Sequence, residues 1–115
     1  MPAERLLARL RRFALALPEV TEEPHFDYAS WRVRGKIFVT VPPDGQHMHV
    51  FAAEPHREPA LAMHPHFLEK LTWGSKVVGL RVDLRQADPS VVEPLVLHAW
   101  EAKAPKRLVN QRTQR

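Results

Sequence analysis

The stretch Tyr28-Ala29-Ser30-Trp31-Arg32-Val33-Arg34-Gly35-Lys36-Ile37-Phe38-Val39-Thr40-Val41 decides the fold. Trp31 and Val33 alternate with Ser30, Arg32 and Arg34, the two-residue period of a strand with one buried face. Gly35-Lys36 offers a turn, and residues 37–41 supply a second apolar strand. Pro42-Pro43-Asp44-Gly45 is another turn signal, with Asp44-Gly45 suited to a tight reversal. Beyond it His47, His49 and Phe51 alternate with Met48 and Val50. Three strands joined by two short turns predict an antiparallel meander.

Toward the N-terminus, Leu6, Leu10, Phe13 and Leu17 form one helical stripe while Arg5, Arg9 and Arg12 lie on a different face. Pro2 and Glu4 suit the start of that helix and Pro18 its end, so a helix is predicted over residues 3–16. Residues 19–27, carrying Glu19, Glu22, Glu23 and Asp27, read as an acidic connecting loop. Toward the C-terminus, residues 54–64 are helix-like, but Pro55, Pro59 and Pro65 keep the helix short. Residues 66–71 are a candidate strand leading to a turn at Trp73-Gly74, and residues 77–84 alternate clearly. Asp88-Pro89 starts a helix, with an N-cap acceptor followed by Pro, and Val92, Leu95, Val96 and Ala99 give it an inward stripe to about Lys103. The predicted order is α-β-β-β-α-β-β-α, an α+β fold with helices packed on an antiparallel sheet.

The 115 residues fit one domain, read as 1–104 with a basic tail at 105–115. With 17 Lys and Arg against 13 Asp and Glu, the net charge is +4. That charge is uneven. From Lys103 onward there are five positive residues and no acid, while residues 1–102 hold 12 Lys/Arg against 13 acids. The body is therefore near neutral, and the terminal block reads either as a solvated tail or as an arm for nucleic acid. No apolar run approaches the ~20 residues of a membrane span, and no secretory h-region opens the chain, so a cytoplasmic location is expected.

Catalytic chemistry finds little to work with. The absence of Cys excludes a thiol nucleophile and thiolate metal sites. Ser30, Ser75 and Ser90 lie in no nucleophile elbow, and Gly35, Gly45, Gly74 and Gly79 form no phosphate loop. His47 with His49, and His64 with His66, have strand spacing that places each pair on one face, but neither pair has a recognised metal-site spacing. No enzyme, cofactor or metal site is expected. The more suggestive pattern is basic and aromatic: Arg32, Arg34 and Lys36 on one hairpin with Trp31 and Phe38, and Lys70, Trp73 and Lys76 around a second. Such hairpins can follow phosphates while an exposed ring stacks on a base, although Trp31 and Trp73 in a strand are more often core or edge-packing residues.

Ser30-Trp31-Arg32-Val33-Arg34-Gly35-Lys36-Ile37-Phe38 resembles the "S-W-x-V-x-G-K-x-F" segment of the MmcQ/YjbR family. Leu17-Pro18-Glu19-Val20-Thr21-Glu22, Trp73, and the stretch from Ala99-Trp100 to Ala104-Pro105-Lys106-Arg107-Leu108 are similar to that family's other landmarks, in order. The resemblance implies a layer akin to frataxin-like and secretion-chaperone domains. It also implies a bacterial, largely uncharacterised protein for which double-wing DNA binding has been suggested. On this chain it makes Trp31 and Trp100 structural anchors. The contacts expected for nonspecific, salt-sensitive DNA binding are Arg32, Arg34, Lys36, Trp73, Lys76, Lys106 and Arg107. A frataxin-type iron role is disfavoured by the arginine-rich first helix. The alternative is a non-enzymatic protein-interaction or small-ligand domain using the sheet face near Met48, Phe51 and Met63. Neither the partner nor the oligomeric state is fixed by the sequence.

Overall fold

A computed structural model describes residues 1–113, which form α1 (Ala3–Leu15), β1 (Val20–His25), β2 (Tyr28–Val33), β3 (Lys36–Val41) and β4 (His47–Val50). These are followed by α2 (Glu54–Met63), β5 (Leu68–Trp73), β6 (Lys76–Asp83), α3 (Pro89–Lys103) and α4 (Lys106–Thr113). The strands make one antiparallel sheet in the order β1-β2-β3-β4-β6-β5. Helices α1, α2 and α3 pack together over one face. The α+β layout expected from the sequence is present, with one more strand and one more helix.

The extra strand corrects the reading of residues 19–27 as a loop. β1 pairs with β2 from Val20↔Val33 to His25↔Tyr28, but its four central residues are exposed. An edge strand of this kind is held by backbone bonds, and its charges and Pro24 guard the open side against further pairing. It therefore shows no apolar alternation. Glu22 does more than guard the edge: its Oε1 accepts from Trp31 Nε1 at 3.2 Å and Arg11 Nε at 2.8 Å, tying β1 to β2 and α1.

The extra helix contains the start of the basic tail. Residues 106–113 form α4 rather than an extended arm, and Leu108 is buried in the core at 2% exposure. Gln114 and Arg115 lie outside the described residues.

The core lies between the sheet and the helices. Trp31, Val33, Phe38, Val39, Met48, Val50, Leu80 and Val82 meet Leu6, Leu10, Val92, Val96 and Trp100 there, all fully buried. Met48 thus belongs to the core, not to an exposed sheet patch, while Met63 is exposed. Phe38 and Val39 are neighbours yet both buried, because the β2–β3 register shifts at Trp31/Arg32 and lets Phe38 turn inward as an extra residue. Trp100 Nε1 donates to the Pro18 carbonyl at 3.2 Å, pinning α3 to the connection that follows α1. Asp88 caps α3 by accepting from the Ser90 N–H. Gly79 is required where β6 crosses close to β4: a Cβ there would stand 2.3 Å from the Val50 carbonyl oxygen.

Candidate nucleic-acid interface

Because every neighbouring pair is antiparallel, the β2–β3 and β5–β6 turns emerge at the same end of the sheet. Three strand spacings separate them, roughly 15 Å across the sheet. The fold thus brings the two basic hairpins to one edge, but their side chains are in different states.

In the β2–β3 turn, Arg34 (φ 51°) and Gly35 (φ 79°) both have positive φ, the backbone of a type I′ hairpin. Arg34 is an unusual occupant of that position, and its guanidinium is held: Nε donates to Glu19 Oε1 at 2.8 Å and Nη2 to Glu19 Oε2 at 3.2 Å. This hydrogen-bonded pair lowers the Glu19 pKa and raises that of Arg34. Arg107 of α4 also lies near enough to Glu19 to lower its pKa further. Arg34 and Arg107 are therefore brought together, as binding through both hairpin and tail requires, but around a carboxylate that neutralises part of their charge. Arg32 is also committed, donating through Nε to Ser30 Oγ at 2.9 Å and through Nη2 to the Pro24 carbonyl at 3.2 Å. Lys36 is exposed and has no ion-pair partner among the described residues.

The β5–β6 turn differs. Trp73 and Lys76 face each other in register across Gly74-Ser75. Trp73 is 66% exposed and meets Phe51 edge-on with ring centroids 5.7 Å apart. Lys76 is exposed and unpaired among the described residues. Trp31 and Trp100, by contrast, are fully buried, in keeping with their reading as anchors. Lys106 and Arg107 are exposed on the first turn of α4.

A cavity of about 970 Å³ runs from the β1–β2 turn to the β5–β6 hairpin over the sheet face that carries Thr40 and His49, and Arg57 of α2 and Lys103 of α3 also line it. Its floor includes Ile37, Thr40, His49 and Leu71, and its rim includes Phe26, Trp73, Lys76 and Lys103. Phe26, in the turn after β1 with φ 59°, is 93% exposed. His49 Nδ1 lies 3.3 Å from Thr40 Oγ1; burial, and then the nearby Arg81 charge, lower its pKa. Phe26 and Lys103 were not singled out from the sequence as site residues, and His49 was weighed only with His47 as a metal pair; the three belong to separate segments with no shared spacing. His47 and His49 share this face, but His47 Nδ1 is engaged by Asp44 Oδ2 at 2.7 Å. Among the described residues no three His, Asp or Glu side chains converge as a metal set.

A helix-backed antiparallel sheet with a cavity on its face and basic hairpins at one end defines a small α+β domain. The YjbR family model matches residues 15–102, and the chain belongs to that family. No curated protein and no solved structure matches it significantly. The match ends just before α4, so Lys106 and Arg107 lie beyond the matched region. Among the described residues, no helix is long and apolar enough to cross a membrane.

Proposed function

We propose that the chain is a non-enzymatic DNA-binding module of the bacterial cytoplasm, contacting phosphates through the end of the sheet formed by its hairpins. The observation that carries this reading is the exposed Trp73 ring directly opposite the unpaired Lys76. A flat ring beside a flexible ammonium group offers a stacking surface and a phosphate contact within one hairpin. Lys36 at the same end adds positive charge, as do Lys106 and Arg107 on α4. Arg32 and Arg34 serve this interface as scaffolding: the first straps β1 to β2, and the second fixes the left-handed turn. The binding expected is weak and largely independent of sequence, because phosphates carry no base information.

The test is a mobility shift on duplex DNA at roughly 50 mM and 200 mM salt, a range over which phosphate contacts weaken steeply. The reading expects a shift at low salt that fades at the higher concentration. No shift at either salt would remove it.

A further inference from the structure

We propose that the sheet-face cavity accepts a nucleotide unit, its flat heteroaromatic base laid on the sheet beside Trp73 and its phosphate met by Lys76 and Lys103. This deepens the nucleic-acid reading and rests on it for the choice of a phosphate-bearing ligand, but different observations carry it. The cavity is large for a domain of this size, at about 970 Å³. That is at the upper end of the roughly 300–1,000 Å³ typical of small-molecule sites.

Its chemistry is divided as a nucleotide is divided. The floor is a pleated surface of Ile37, Leu71 and Val78, broken by one polar pair, Thr40 and His49. Aromatic side chains stand at both ends: Trp73 with Phe51 at the hairpin, and Phe26 with Tyr28 at the β1–β2 turn. Phe26 and Trp73 are the two most exposed aromatic residues of the chain's described part. Two large rings at the two ends of one cavity offer surfaces that a planar ligand can cover, and bases stack on aromatic side chains of open sheets.

The cations lie on the rim rather than the floor. Lys76 comes from the second hairpin and Lys103 from the last turn of α3, and neither has an ion-pair partner among the described residues. Arg57, also on the wall, is occupied by Glu58 and the Ala52 carbonyl. A neutral ring over the floor and an anionic group at the Lys76 end therefore use the apolar floor and both lysines, while the Asp27 carboxylate lies at the β1–β2 end of the lining. Burial beside Arg81 favours the neutral form of His49, which leaves its Nε2 for a hydrogen bond to a base edge. A purely apolar ligand would leave the lysines and the Thr40–His49 pair unused.

The nucleotide can come free or within an unpaired strand, and one titration separates the two. Trp73 is the only exposed Trp, so intrinsic fluorescence of the full chain reports directly on the rim. The probes are a mononucleotide, a thymidine oligonucleotide and a duplex. Saturable quenching by the oligonucleotide supports the site, and quenching by the mononucleotide as well assigns it to free nucleotides. Labelled-oligonucleotide anisotropy should show Trp73→Ala weakening binding roughly tenfold. Trp73→Phe should keep binding while losing the ligand-dependent quenching. Lys103→Glu, on a surface helix turn far from the second hairpin in sequence, should weaken oligonucleotide binding while sparing any duplex shift. Absence of quenching by both the mononucleotide and the oligonucleotide overturns the inference, even where the duplex still shifts. Undiminished oligonucleotide binding by Lys103→Glu also overturns it, since Trp73 would then be acting outside the cavity. Oligonucleotide binding without any duplex shift upholds the site and removes the duplex reading instead.

Discussion

The two hairpins at one end of the sheet are built from the same kinds of residue and do opposite things with them. Each pairs a Trp with basic residues around a glycine turn. In the β2–β3 hairpin Trp31 is buried, and Arg32 and Arg34 are spent on Ser30, Pro24 and Glu19. In the β5–β6 hairpin Trp73 is exposed, and Lys76 has no partner among the described residues. Position explains the difference. β2 is an inner strand flanked by the acidic β1, whereas β5 is the far edge and has no strand beyond it. Basic composition therefore leaves free positive charge only where no neighbouring strand supplies the counter-charge.

The largest effect should come from exchanging the fates of the two Trp residues. Trp31→Ala empties a fully buried site and breaks the bond to Glu22, which should cost about 3–5 kcal/mol in denaturant unfolding. Trp73→Ala should change stability by no more than about 0.5 kcal/mol, as surface substitutions do. Equal losses for the two would break the comparison.

That contrast was only partly legible in the sequence. The alternation of Trp31 and Val33, the turns at Gly35 and Gly45, and the Asp88-Pro89 cap are local signals, and each stands where it was read. β1 was missed because an exposed edge strand is specified by its neighbour's backbone rather than by its own pattern. α4 was missed because like charges masked the apolar residues that anchor it, Leu108 and Val109. The site suffered most. Arg34 meets Glu19 across the β1–β2 pair, and Phe26 faces the same cavity as Lys103 from the far end of the chain. Such meetings depend on tertiary pairing, and nothing in the spacing of those residues announces them.

Freeing the first hairpin should sharpen the comparison. Glu19→Gln releases Arg34 and removes the carboxylate beside Arg107, so DNA binding should strengthen a few-fold and become more salt-sensitive. Binding isotherms at two salt concentrations would check this; unchanged affinity would show that the Glu19 pair does not mask the hairpin.

The smallest effect concerns pH. His49 has a folded-state pKa below the ordinary 6.5, chiefly through burial, so the folded protein binds fewer protons there than the unfolded chain. Its contribution to stability is complete above pH 6.5 and is lost as the pH falls through the folded value. The urea midpoint should therefore drop between about pH 7.5 and about pH 5.5, and His49→Gln should flatten part of that drop.

The most direct test compares Lys76→Glu with Arg34→Glu in duplex binding at one low salt concentration. Both substitutions change the net charge equally, so a response to overall charge cannot separate them. Lys76→Glu is predicted to lose most of the affinity, while Arg34→Glu loses little. Equal losses, or a greater loss for Arg34→Glu, would contradict the assignment of the interface to the second hairpin.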